Sequence, residues 1–264
     1  MEQRKLSDSD MLKVLKIFAA ALALSCTLSA QDSETIRVDF RVMPVLSAEW
    51  TGIFYQPNVN GEMKELQFQS LSRSFETYRY TGDNPIIFYR KDGVDEDGET
   101  IYAPVAKVSA KSKELLIFFM SNEAVGRSDM IEEFSLISLD DSPQGLPMDY
   151  IIYINLTGVQ LGCRFENENI LLRPGFNGPY SLRDSLETDV FVGMVVQHEN
   201  SQRVVMKNNW HFKSGNRHII LLLPPKKAGS FRMRAYRITE YVGENSKFNT
   251  SSIRGRMRPE KAQN

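Results

Sequence analysis

Every even-numbered residue from Ile36 to Val42 is apolar and every odd-numbered one is charged. Successive side chains of an extended chain point to opposite faces, so this run describes a strand with one dry and one wet face. The same period of two returns in Val159, Leu161, Cys163 and Phe165, and in Phe231, Met233 and Ala235 set against Arg232 and Arg234. Other runs are apolar at every position: Ile86–Tyr89, Leu115–Met120, Ile151–Ile154 and Ile219–Leu223. They are short and rich in β-branched and aromatic residues, which predicts central strands of a sheet covered on both faces. Beyond residue 30, no segment longer than about ten residues keeps a 3.6-residue apolar period. The chain is predicted to be all-β.

Turn residues punctuate these runs at short intervals, as in Asp92-Gly93, Pro174-Gly175, Asn177-Gly178-Pro179 and Ser214-Gly215-Asn216. About a dozen strands result, the number expected of an antiparallel β-sandwich or of two. The segment Ile86–Met120 and the segment Val190–Leu223 share an order: strand, polar loop, strand, turn with lysine, then a continuous apolar run. This echo, weak in residue identity, predicts two tandem sandwich domains of immunoglobulin-like or jelly-roll-like kind. They would span residues 31–142 and 143–242, divided in the Pro/Gly/Asp-rich stretch Asp140–Pro147. Residues 243–264 are basic and nearly free of apolar side chains, the composition of a disordered tail.

Residues 1–30 have the pattern of a signal peptide. Lys13 and Lys16 precede an apolar stretch, Ile17–Leu24, and small residues follow at Ser25, Thr27, Ser29 and Ala30. The apolar stretch is far shorter than the roughly twenty residues of a membrane-spanning helix. Cleavage between Ala30 and Gln31 fits best, with Met1 or Met11 as the start. Ser25-Cys26 offers a different ending, that of a lipoprotein signal. The expected address is the periplasm or the exterior, with a lipid-anchored envelope protein as the alternative and membrane contact only if Cys26 is lipidated. If Cys26 is removed, Cys163 is the sole remaining cysteine and no intrachain disulfide can form.

A net charge of −1, from 32 basic and 33 acidic residues, lacks the basic excess that nucleic-acid binding needs. Chemistry-bearing motifs are absent from the sequence: there is no phosphate-cradling glycine loop, no nucleophile elbow and no metal-ligand spacing. His211 and His218 flank the Ser214-Gly215 turn and would face each other if that pair is the hairpin loop, but fall out of register if the loop is Gly215-Asn216; His198 is the one further imidazole. The acidic loop Asp92–Glu99 resembles a calcium loop at Asp95, Asp97 and Gly98. It fails at the first and twelfth positions, which are Gly93 and Pro104. Cys163, in an alternating strand, reads as a small core side chain. Neither metal nor cofactor is expected.

Aromatic side chains crowd the first half. Trp50, Tyr55, Tyr78 and Tyr80 are the candidate binding residues, because aromatics exposed on a sandwich can stack on a sugar or anchor a protein. Address, pattern and missing motifs point to a non-enzymatic envelope module whose partner is a protein or a glycan. The alternatives are a hydrolase-type or metal-dependent enzyme with a site assembled from distant strands, or an assembly subunit that donates the strand Ile36–Met43.

Overall fold

A computed structural model of the 264-residue chain describes residues 35–45, 50–69, 72–126, 132–227, 229–241 and 256–259. The predicted leader, with Met11, Cys26, Ala30 and Gln31, lies outside these residues. In the first half the strands are β1 (Ile36–Val45), β2 (Phe54–Tyr55), β3 (Lys64–Glu65), β4 (Tyr78–Gly82), β5 (Ile86–Val94), β6 (Thr100–Val108), β7 (Glu114–Ser121) and β8 (Phe134–Asp140). In the second they are β9 (Tyr150–Asn155), β10 (Leu161–Phe165), β11 (Glu168–Leu172), β12 (Gly175–Ser181), β13 (Asp189–His198), β14 (Ser201–His211), β15 (Asn216–Leu223) and β16 (Arg234–Tyr241). A short β17 (Arg256–Pro259), within the predicted tail, pairs antiparallel with β16.

The all-β prediction holds, and the architecture is that of a β-sandwich. Four sheets form among the described residues, ordered β4-β1-β7-β8, β3-β2-β5-β6, β12-β9-β15-β16-β17 and β11-β10-β13-β14. Adding eight to each strand of the first pair of sheets reproduces the second pair, β17 aside. The directions repeat as well: β1 is parallel to β7 and β9 is parallel to β15, while the other neighbours are antiparallel. The two segments that echo each other in the sequence occupy equivalent strands, β5-β6-β7 and β13-β14-β15.

Three apolar clusters hold the sheets in a four-layer stack. Strand β7 shows how. Leu115, Ile117 and Phe119 enter the cluster shared with β3-β2-β5-β6, while Leu116, Phe118 and Met120 enter a middle cluster shared with β9 and β15. On β15, Ile220 and Leu222 face β11-β10-β13-β14, and Ile219, Leu221 and Leu223 face the middle. This double covering is the physical reason that three of the four continuous apolar runs carry no polar alternation. The fourth run behaves differently. Ile86 and Phe88 are buried, yet Ile87 is 37% exposed, because its sheet is an outer layer with a wet face. The described residues from Ile36 onward cluster as one compact unit, in which the middle cluster joins the inner sheets.

At the rim of the middle cluster lies a buried charge network. The guanidinium of Arg73 donates from Nε and Nη2 to the two carboxylate oxygens of Glu240, each at 2.6 Å, and from Nη1 to Asp141 Oδ2 at 2.5 Å. Arg217 donates from Nε to Glu240 Oε2 at 2.8 Å, from Nη2 to Asp141 Oδ1 at 3.1 Å and from Nη1 to the Leu146 carbonyl at 3.3 Å. All four side chains are buried, as is that of Arg41, whose Nε donates to Thr77 Oγ1 at 3.0 Å. Burial alone would raise the carboxyl of Glu240, but Arg73 and Arg217 outweigh it and hold the group below its ordinary value.

Candidate functional site

The aromatics predicted as binding residues meet inside the protein. Tyr78 is 0% exposed and Tyr55 is 2% exposed, and their ring centroids lie 5.6 Å apart, edge to face. Phe40 packs on both, at 5.1 and 5.4 Å. Trp50 belongs to the same cluster but lies against Phe119 and Phe134 instead, and half-buried Tyr80 borders it. The Tyr78 hydroxyl accepts from the Gln67 amide, and the Tyr80 hydroxyl donates to the Asp83 carbonyl. Tyr78 and Tyr80 do share one face of β4, as alternation requires. That face is the dry one, and it offers a ligand no open ring.

The imidazoles are dispersed. After His211 the chain leaves the sheet of β14 and enters that of β15, so His211 and His218 are not hairpin partners. His211 is exposed, with Nδ1 3.1 Å from Asp189 Oδ1. His198 is also exposed and rests its ring on Phe231, while His218 is buried against Phe212. The acidic loop Asp92–Glu99 is closed by its own aspartate: Asp95 Oδ1 accepts from the amides of Asp97 and Glu99. Among the described residues no group of three His, Cys, Asp or Glu side chains is arranged to hold a metal ion. Burial raises the Cys163 thiol to about 12, which leaves almost no thiolate at neutral pH. Asn155 begins an Asn-x-Thr triplet, yet it is 1% exposed and its amide is spent on Val159, Leu172 and Thr157. The second triplet, at Asn249, lies outside the described residues.

An open concave surface lies on the outer face of β11-β10-β13-β14, and two glycines make it. Alternation sends Leu161, Cys163 and Phe165 of β10 inward and leaves Gly162 and Arg164 outward. On β13 it sends Val190, Val192 and Met194 inward and leaves Phe191, Gly193 and Val195 outward. Across the sheet these outward positions form two rows. Leu171, Gly162, Val195 and Val204 make the first, and Asn169, Arg164, Gly193 and Lys207 the second. A bulge between β13 and β14 at Met194/Val195 bends the face. Where the two glycines omit side chains a groove of about 550 Å³ opens, within the usual size range of a ligand site.

The walls of the groove are chemically one-sided. Leu171, Phe191 and Val204 are 52%, 43% and 53% exposed, a cluster of apolar surface rather than a scatter. A Cβ on Gly193 would come within 3.0 Å of the Phe191 ring, so that ring leans over the bare backbone. Arg164 and Lys207 flank Gly193 on either side, and Arg164 is steadied by donating from Nε to the Glu166 carbonyl at 3.0 Å. Asn169 and Gln202 add amides, and no Asp or Glu lines the groove. The equivalent sheet β3-β2-β5-β6 carries a smaller hollow of about 310 Å³, lined by Gly52, Phe54, Glu65, Arg90 and Lys91, and a carboxylate is among its walls. Phe54 and Tyr102 also pack edge to face there at 5.2 Å, with the Lys91 ammonium 5.3 Å above Phe54.

The chain matches no protein-family model and no curated protein. Its function must be argued from the groove itself. Gly162 and Gly193 are the signal of this groove in the sequence, since glycine inside an alternating strand marks a place where something approaches the backbone closely.

Proposed function

We propose that this is an exported, non-catalytic binding module of the cell envelope, and that it holds a protein or glycan partner on the outer face of β11-β10-β13-β14. The observation that carries the reading is the glycine-floored groove, where exposed Leu171, Phe191 and Val204 surround two cations without a carboxylate. Apolar anchors beside a few fixed polar groups are what a recognition surface needs. The sequence pattern of residues 1–30 supports export, and intact mass of the native protein tests it. A chain starting at Gln31 fits soluble export, and a lipid-bearing chain starting at Cys26 replaces it with a lipid-anchored form.

The binding reading is tested by capture of envelope components on immobilised protein. Phe191→Ala and Arg164→Glu are each expected to weaken capture at least about tenfold, the scale of a lost interface anchor. Phe75→Ser, at an exposed aromatic outside the groove, is expected to leave it unchanged. Capture that survives both groove substitutions rules out this face. Turnover of an ester, glycoside or peptide that a single substitution abolishes would replace the binding reading with an enzymatic one.

A further inference from the structure

We propose that the partner seated in this groove is the β5–β6 hairpin tip of a second copy of the chain, so that copies associate head to tail. The inference rests on reading the groove as the binding face, and it names what that face binds. Between Lys91 and Thr100 the hairpin is exposed throughout, and it carries Asp92, Asp95, Glu96, Asp97 and Glu99. Exposed Val94 and Ile101, at 66% and 44%, stand beside these carboxylates. The groove has the inverse composition: Arg164 and Lys207 among Leu171, Phe191 and Val204, with no acidic side chain. Each surface therefore supplies the charge and the apolar contact that the other lacks.

The tip is also held in shape before it binds. The Asp95 amide donates to the Glu99 carbonyl at 2.9 Å, the Gly98 amide donates to the Asp95 carbonyl at 3.1 Å, and Asp95 Oδ1 accepts two more amides. A preorganised loop loses little conformational freedom on docking. The hairpin of the other half cannot play this part, because the β13–β14 turn carries Glu199 as its one carboxylate. A contact between two different patches is heterologous, so repetition builds a row of molecules, which closes into a ring only if the rotation between neighbours allows it.

Sedimentation velocity on the mature chain tests the proposal. Association is expected to grow with protein concentration at about 50 mM salt and to weaken at about 500 mM. Two double variants are made, Glu96→Lys with Asp97→Lys in the hairpin and Arg164→Glu with Lys207→Glu in the groove, each checked for native circular dichroism. Asp95 is left in place because it holds the turn. Each variant alone is expected to associate at least about tenfold more weakly. An equimolar mixture is expected to recover a one-to-one complex, since the unaltered acidic hairpin of the groove variant meets the unaltered basic groove of the hairpin variant. A wild-type chain that stays monomeric at about 1 mM overturns the proposal, as does association that both variants retain. If the monomeric chain still captures an envelope component in a Phe191-dependent way, the groove reading stands and this inference alone fails. If capture is also insensitive to the groove, both fail.

Discussion

Replacing Glu240 with Gln is expected to lower the unfolding free energy by about 3–5 kcal/mol, the range seen when one partner of a buried ion pair is removed. Glu240 accepts three charge-assisted bonds, two from Arg73 and one from Arg217, at 2.6 to 2.8 Å. A neutral amide cannot balance either guanidinium, and neither can reach water from its buried position. Asp141 would then be the last carboxylate among three buried arginines, since Arg41 also lies close enough to feel the network. Urea titration measures the loss as a lowered midpoint at unchanged slope. A shift of under about 1 kcal/mol would show the network to be solvated and the argument mistaken.

The same titration reads the coupling of the two halves. The chain has two tryptophans, and they report different layers: Trp50 borders the cluster of the first pair of sheets and Trp210 that of the second. Single Trp→Phe variants that leave one reporter each are expected to show coincident transitions, because the middle cluster and the charge network join the inner sheets.

The second large effect is acid sensitivity between pH 6.5 and pH 4.5, traced to His218. Its ring is 1% exposed and packs edge to face on Phe212 at 4.9 Å. Nδ1 lies 3.1 Å from Thr239 Oγ1, and Nε2 has no hydrogen-bond partner. Burial, with the nearby positive charge of Arg237 behind it, lowers the imidazole from 6.5 to about 3. The folded state therefore requires the neutral ring, whereas the unfolded chain takes up a proton near pH 6.5. Stability is fully present above 6.5 and falls by about 1.4 kcal/mol per pH unit as the pH drops toward 3.

Glu240 acts in the same direction but lower, because its depressed carboxyl contributes stability that is lost only below its ordinary 4.5. The window between 6.5 and 4.5 belongs to His218 and is worth about 2–3 kcal/mol. Urea midpoints measured across that window should slope in the wild type and flatten in His218→Gln. Equal slopes in the two proteins would remove His218 as the cause.

The strands were legible because alternation is a local property of the chain. Ile36–Val42 and Leu161–Phe165 could be drawn as strands from their residues alone. Which face of a strand is wet is decided by what packs on it, and that is why Tyr78, a candidate binding residue by sequence, lies in the core, with Tyr80 half-buried at its border. Continuous runs announced covering on both faces in Leu115–Met120 and Ile219–Leu223, where an inner sheet supplies it. Ile86–Tyr89 has the same composition on an outer sheet. The groove was hidden for a further reason: it is made by what Gly162 and Gly193 omit, and only the pairing of β10 with β13 sets the two omissions diagonally next to each other in adjacent rows. Arg73, Asp141, Arg217 and Glu240 are spread over most of the chain and resemble any solvated charges until the inner sheets bring them together.

A strand that is apolar on both faces has no parity. Sliding β15 by one residue along β16 would exchange its two faces and still bury aliphatic side chains on each, so hydrophobic pattern alone does not fix the alignment. Arg217 and Glu240 do fix it. They stand directly opposite each other across β15 and β16, on the face of Ile219 and Ile238. A slip of one position would turn a guanidinium into the opposite apolar cluster and leave the carboxylate behind it unmatched. The network thus serves as a key that admits one alignment of β15 on β16, because only that alignment sets the guanidinium opposite the carboxylate.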